Sequence, residues 1–230
     1  MRRRACQLAL LLFAFTLGEG QVVVDRIVAV VNKRVILESE LDQATRVELL
    51  LQGKPLDNDR LGPPETQAVL DRLIDRALLE QQIGDPAVLD PTPEELGERI
   101  KEIRGQIAGA AGEEGWKAVL ARYGLTQVDV EDHLTSEFRV LRFIDLRFRG
   151  LVRVDKADIA SYYQEKLLPE LRRQGVAAPP LAAVSDKIEK ILVEQRMDTM
   201  LNEWLQTLRT QAHIEKMLSS GASLAHGAKP

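Results

Sequence analysis

Histidines, paired carboxylates, serines and a single cysteine are the side chains of this sequence that could carry chemistry, and their spacing assembles no site. His133, His213 and His226 stand far apart and no HExxH pattern occurs, so the spacing of a metal-ligand set is missing. No glycine-rich loop follows a strand-like run, so no phosphate cradle is expected. Glu94-Glu95 and Glu113-Glu114 lie where helices begin. The positive end of the helix dipole favours carboxylates there, and this accounts for them without general acid–base work. Ser219 and Ser220 have no base near them in sequence, and Cys6 is the only thiol. The expectation is therefore no catalytic residue, no metal ligand and no cofactor.

What remains is a set of side chains suited to weak contact with other polypeptides. Unbranched methionines and amphipathic aromatics adapt to varied surfaces. Met197, Met200, Leu201, Trp204, Leu205 and Leu208 follow one another at near-helical spacing. Core packing would also account for Leu201, Trp204, Leu205 and Leu208, whereas Met197 falls off that stripe. Trp116 and Tyr123 lie on a short helix between glycine-rich breaks, where they either pack in a core or wall a movable groove. Tyr162 and Tyr163 are adjacent and cannot face the same way on a helix, so one of them is expected at the surface. The candidate peptide-contacting residues are thus Met197, Met200, Trp204, Trp116, Tyr123, Tyr162 and Tyr163. His133, on a polar helical stretch, reads as a solvated surface residue, and His213 as a structural residue at a strand start.

Helices must position these groups. The first is predicted from Ser39 to Leu51, with Ser39 as N-cap, Asp42 at the capping-box position and Leu41, Ala44, Val47, Leu50 and Leu51 as its apolar side. Pro63-Pro64 opens a second, with a Val69, Leu70, Leu73, Ile74, Ala77, Leu78 stripe and Gly84 as a stop. Thr92, Pro93 and Glu95 spell a capping box before Leu96, Ile100, Ile103 and Ile107. A short helix spans about 116–123. Thr126 and Asp129 cap the next, whose face carries Val130, Leu134, Phe138, Leu141, Ile144 and Phe148. Asp155 and Asp158 repeat the signal before Ile159, Tyr162 and Tyr163. Residues 172–180, RRQGVAAPP, read as a linker, and a last long helix follows from Leu181 to about Thr210.

The first twenty residues have the pattern of a secretory signal peptide: Arg2 to Arg4, an apolar run from Leu8 to Leu17, and small Gly18 and Gly20 at the cleavage-site positions. The apolar run is shorter than the ~20 residues that span a bilayer, so cleavage is expected rather than an anchor. Removing residues 1–20 lowers Lys plus Arg from 31 to 28 and Asp plus Glu from 35 to 34, which leaves a net charge of −6 and no cysteine. A thiol-free chain suits an oxidising compartment. Mild acidity argues against nucleic acid or a polybasic membrane surface. Aromatics are only 4% of the chain, and apolar content carried by Leu, Ile, Val and Ala favours packed helices over a β-sandwich.

Residues 22–45, VVVDRIVAVVNKRVILESELDQAT, read as strand, tight turn at 32–34, strand and helix start. A lone hairpin is not stable in water. The best partner strand lies at 213–218, HIEKML, almost a chain length away. The fold expected is therefore mainly α, a helical bundle-like domain over 21–218, with a small antiparallel sheet formed by the N-terminal hairpin and a C-terminal strand. Residues 219–230 are expected to be a disordered tail. An extended peptide could add to an edge of such a sheet, although Arg26, Lys33, Arg34, Glu215 and Lys216 discourage pairing there.

The stretch DRIVAVVNKRVILESEL resembles the start of the SurA-type periplasmic chaperones. Residues 185–218 are similar to that family's closing helix, with its Trp-x-x-x-Leu-Arg segment (Trp204, Leu208, Arg209) and final strand. The resemblance implies a periplasmic, ATP-independent holdase that binds unfolded clients, among them outer-membrane β-barrel precursors; no nucleotide site is visible in the sequence, so release is expected by handover to the next partner. In related parvulin-linked families a prolyl isomerase domain commonly lies between a helix like 155–166 and the closing helix. Here that interval holds only 167–180, too short to bury a core. The expectation is a chaperone core without the isomerase, hence not an enzyme. The alternative is a non-catalytic interaction module with one dedicated partner, and a third reading is a residual prolyl isomerase.

Overall fold

The computed structural model describes residues 25–56 and 63–217; the expected signal peptide and tail lie outside them. Strand β1 (Ile27–Val31) and strand β2 (Arg34–Leu37) form the hairpin, and β3 (Ile214–Lys216) pairs antiparallel to the other side of β1, giving the order β2-β1-β3. Both ends of the described chain thus meet in one sheet, in the register Val31 to Ile214 and Ala29 to Lys216. The β1–β2 register slips between Ile27 and Ala29, and consecutive Val28 and Ala29 are both buried, which strict alternation would forbid.

The turn is Asn32-Lys33. Asn32 takes φ +56°, and no other non-glycine residue among those described has a positive φ. Asn tolerates that region better than other L-residues because its short polar side chain finds local partners. Those partners tie three elements together. The Asn32 amide N–H donates to the His213 carbonyl at 2.8 Å, and the His213 N–H donates to Asn32 Oδ1 at 2.9 Å. Asn32 Nδ2 donates to Gln81 Oε1 at 2.7 Å, while Gln81 Nε2 donates to the Val31 carbonyl at 3.2 Å.

Among the described residues eight helices follow the hairpin: α1 (Glu38–Leu51), α2 (Pro63–Glu80), α3 (Pro93–Gln106), α4 (Gly112–Arg122), α5 (Gln127–Phe148), α6 (Lys156–Tyr162), α7 (Leu168–Arg173) and α8 (Leu181–Gln211). The boxes at Thr92/Glu95, Thr126/Asp129 and Asp155/Asp158 all form with reciprocal bonds. Ser39 does not cap α1. Strand β2 runs straight into the helix, which begins at Glu38, so Ser39 is already helical and has a free N–H of its own to satisfy. Asp25 accepts from both its N–H and its hydroxyl, and the hydroxyl contact lowers the Asp25 pKa. Asp42 pairs instead with Arg46, one turn on. Helix α2 stops at Glu80, before Gly84, in a turn whose Gln81 is held by the hairpin.

Three apolar clusters result. In the first, the α2 stripe from Val69 to Leu78 is buried in full, together with Val28, Ala29, Val31, Ile36, Leu41, Ala44 and Leu208. The second joins Val47 and Leu50 of α1 to Ile100 and Ile103 of α3, Trp116 and Leu120 of α4, and Val130 and Leu134 of α5. Gly124 serves the α4–α5 turn in two ways: φ is +62°, and a Cβ there would come within 2.6 Å of the Arg46 guanidinium, which donates to the Tyr123 carbonyl. The third gathers Phe148, Val152 and Met197. Leu141, expected on the buried face of α5, is 55% exposed. The α8 side of the core takes Val140 and Ile144 in its place, so the buried stripe rolls along this long helix.

Residues 163–167 form a π-turn that joins α6 to α7 without a break, so the helix runs on through Arg172 and Arg173 and the connection to α8 is 174–180. Pro169 is the cause: it has no N–H for the carbonyl one turn back, and its ring needs room there, which a wider turn provides. Tyr163 anchors the connection by donating its hydroxyl to the Pro179 carbonyl at 2.7 Å.

Asn32→Gly should lose the exposed side-chain bonds and cost about 1 kcal/mol. Asn32→Ala should lose the same bonds and add about 1 kcal/mol of left-handed strain, about 2 kcal/mol in all. Urea unfolding of both variants checks this. Equal losses in the two would mean that the positive φ carries none of the cost.

Candidate peptide-binding surface

Trp204 is the centre of the seam where α8 crosses the end of α5. Positions 197, 200, 201, 204 and 208 share one side of α8, and this brings Met197, Met200, Leu201 and Trp204 to Phe148 and Ile144. The Phe148 ring meets Trp204 edge-on, with centroids 5.7 Å apart and planes at 71°, and Phe143 lies at 5.9 Å and 40°. Arg147 covers the indole, with its guanidinium carbon 4.1 Å from the ring centroid. Such a contact is worth roughly 0.5–1 kcal/mol at an exposed site. Trp204 and Met200 are half-buried and Arg147 is exposed, so one exposed side chain covers this part of the seam. Beside it, Arg149, Asp186, Glu189, Lys190, Val193 and Glu194 line an open cleft of about 580 Å³.

The other candidate residues fall in different places. Trp116 is 1% exposed at the middle of the second cluster, and its indole N–H donates to Gln127 Oε1 at 2.6 Å. Tyr123 is buried in the same cluster, with its hydroxyl donating to the Lys54 carbonyl at 2.7 Å. Both act as packing residues, and the groove-wall alternative has no surface to stand on in this conformation. Met197 is also buried: it stands four and seven residues before Leu201 and Trp204, so it shares their side of α8 and not a separate one as expected. Tyr162 and Tyr163 are both half-buried, because α6 packs on α8 on one side and Tyr163 turns toward Pro179. The structure therefore brings Met200 and Trp204 together and leaves the Trp116–Tyr123 pair in a separate core. Arg147 was not among the expected residues. Its signal was present in the sequence: it is four residues after Phe143 and next to Phe148, on the helix that must face Trp204.

A second, polar cleft of about 330 Å³ opens where α1, α2 and α5 meet. His133 lines it, half-buried rather than solvated, because α2 packs against that side of α5. Its Nδ1 lies 3.5 Å from the Arg76 guanidinium. Burial, with the Arg76 charge adding to it, lowers the His133 pKa from 6.5 to about 4. Glu40, Glu80, Asp129 and Asp132 line the same cleft, with Arg34 paired to Glu40, Ser136 donating to Glu80 and Gln43 donating to Asp129. Among the described residues no group of three His, Cys, Asp or Glu side chains could hold a metal ion. Nor is any helix among them long and apolar enough to cross a membrane.

Residues 5–143 match the SurA-like N-terminal domain. The chain belongs to that family. It is 33% identical over 193 residues to the chaperone SurA of Pseudomonas aeruginosa, an alignment covering 79% of this chain and 44% of that protein. Against the chaperone SurA of Pseudomonas putida the identity is 30% over 175 residues, covering 72% and 40%, and against that of Pseudomonas fluorescens strain Pf0-1 it is 28% over 174 residues, again covering 72% and 40%. The chain thus spans less than half the length of these curated relatives. The matched SurA-like domain takes in the hairpin, α1 to α4 and most of α5, with the His133 cleft inside it. Helix α8 and β3, which complete the sheet and the Trp204 seam, lie beyond the matched residues.

His133 gives the SurA-like domain a pH dependence of definite sign. The folded state holds the imidazole neutral down to about pH 4, while the unfolded chain protonates near 6.5. Stability from this residue is therefore complete above pH 6.5, falls between 6.5 and 4, and changes no further below 4. The total is up to roughly 3 kcal/mol, less in so far as solvent reaches the ring. Thermal unfolding from pH 7 to 4 should show a smaller loss for His133→Gln than for the unaltered protein.

Proposed function

We propose that this chain acts as an ATP-independent holdase in the periplasm, capturing unfolded segments of outer-membrane β-barrel precursors and carrying out no isomerase chemistry. The observation that carries the reading is the Trp204 seam: a half-buried indole with Met200 at its side, two phenylalanines behind it and one exposed arginine over its face. Soft, polarizable side chains of this kind fit many apolar partners without demanding one shape. Membership of the SurA-like family supports the same reading, as do the relatives named as chaperones. The interval between α6 and α8 holds α7 and the short connection 174–180, which leaves the flank of α8 with Tyr162 and Tyr163 as further proposed contacts. Capture would be weak and spread over several contacts, so release needs no nucleotide, only a next partner with higher affinity.

The test is suppression of aggregation of an unfolded β-barrel protein diluted from denaturant, without nucleotide. Unaltered protein in modest excess should lower light scattering. Met200→Ser with Tyr162→Ser should raise the concentration needed about three- to ten-fold, in line with losing about 1 kcal/mol of contact. Trp116→Ala should instead cost about 3–5 kcal/mol of stability, as core truncations do. No reduction of scattering by the unaltered protein at any excess would sink the holdase reading. Suppression confined to one protein, held in a complex of fixed composition, would favour a dedicated interaction module.

A further inference from the structure

Residues 139–153, RVLRFIDLRFRGLVR, hold five arginines and one aspartate in a chain whose formal net charge is −4. Three of these arginines have carboxylate partners: Arg139 with Asp90, Arg142 with Glu95 and Arg149 with Asp145. Among the described residues the other two have none. Arg147 lies on Trp204, and Arg153 donates to the Gly150 and Val152 carbonyls at 3.1 and 3.2 Å. Both are exposed. Next to each stands a leucine that the fold leaves in water: Leu146 is 73% exposed and Leu151 62%. Two guanidiniums with no carboxylate partner among the described residues and two exposed leucines thus fall within residues 146–153, beside the stretch of α8 from Arg196 to Trp204, in a chain that is acidic as a whole.

We propose that this strip, Leu146-Arg147 with Leu151 and Arg153, docks an extended, acidic, leucine-bearing polypeptide segment. The proposal rests on the holdase reading and names the chemistry of the segment held at this place. Charge complementarity selects carboxylates for Arg147 and Arg153. Arg147 lies on Trp204 and the Arg153 carbonyl accepts from Arg196, and the eight residues of α8 between those contacts place the two on the order of 10 Å apart. An extended segment advances about 3.3 Å per residue, so carboxylates about three positions apart match them, with apolar side chains between to cover the leucines. Engagement of Arg147 also lifts it from Trp204 and opens the indole to the same segment. An anionic bilayer fits less well. Asp186, Glu189 and Glu194 line the adjoining cleft and would face a flat negative surface, whereas a single chain can pass beside them.

The experiment uses the full chain and fluorescein-labelled fifteen-residue peptides, in which Leu is interleaved with Glu, with Lys or with Ser, read by anisotropy. The Glu peptide should bind at least five-fold more tightly than the Lys or Ser peptide, and added salt should weaken it. Leu146→Ser with Leu151→Ser should weaken it at least five-fold. Arg147→Glu with Arg153→Glu should reverse the preference toward the Lys peptide, a gain that misfolding cannot produce. Equal binding of Glu and Lys peptides, or no reversal in the double Glu variant, overturns the proposal. So does binding to phosphatidylglycerol vesicles that the same variants abolish while peptide binding persists. If the unaltered protein suppresses aggregation but shows no peptide preference, the strip is wrong and the holdase reading stands; if it does neither, both fall.

Discussion

The pairing of β1 with β3 is the constraint on which the rest of this molecule depends. It joins segments separated by almost the whole described chain, and it is secured at one end by the mutual Asn32–His213 bonds and at the other by the Met217 N–H on the Val28 carbonyl. A two-stranded hairpin alone is marginal in water, and an isolated long helix has no reason to lie where α8 lies. Once β3 is paired, α8 must run back across α2 and α5. Arg209 then meets Asp75 at 2.6 Å, and Lys216 meets Asp71 at 2.5 Å, each pairing the closing segment with α2. Exposed ion pairs contribute at most about 1 kcal/mol each, so they confirm the alignment more than they create it. Burial of Leu208 and of the sheet's inner face supplies the larger share.

Closing the chain in this way sets which surfaces can work. The second cluster, with Trp116 and Tyr123, is built by α1, α3, α4, α5 and the connections between them and takes nothing from α8. The third exists only because α8 returns along the α5 end. The Trp204 seam and the arginine-rich strip therefore belong to the part of the fold that both chain ends must cooperate to make. The π-turn at 163–167 adds to this: it lets the α6–α7 helix pass Pro169 and bring Tyr163 to the start of α8.

Much of the architecture was legible in the sequence because its signals are local. Three capping boxes, the α2 stripe and the hairpin need only neighbours in the chain, and the C-terminal strand followed from the instability of an unpaired hairpin. The failures share a cause. Ser39 looked like a cap, but the acceptor was Asp25, placed by strand pairing rather than by sequence spacing. Leu141 looked buried and His133 exposed, because the roll of the buried stripe along α5 is decided by which helices approach it. Of the candidate contacts, Trp116, Tyr123 and Met197 have the right chemistry for binding and the wrong neighbours for it. Residue type marks a side chain as adaptable; only packing says whether it is already occupied.

On the proposed reading, Arg147 would keep a client-holding surface covered while no client is bound. A bare Trp204 beside Met200, Leu201 and Phe143 would be an apolar patch of the kind that drives self-association. The guanidinium over the indole keeps a charge in front of that patch and holds it there by a contact worth about 1 kcal/mol or less. Lifting it costs little, so a segment that offers a carboxylate to the arginine and an apolar side chain to the ring recovers more than it displaces. The same small energy that keeps the seam closed in the free protein also limits how tightly any one segment can be held there. Weak, repeated contact follows from so small an energy, and it is the regime that the proposed holdase function would require.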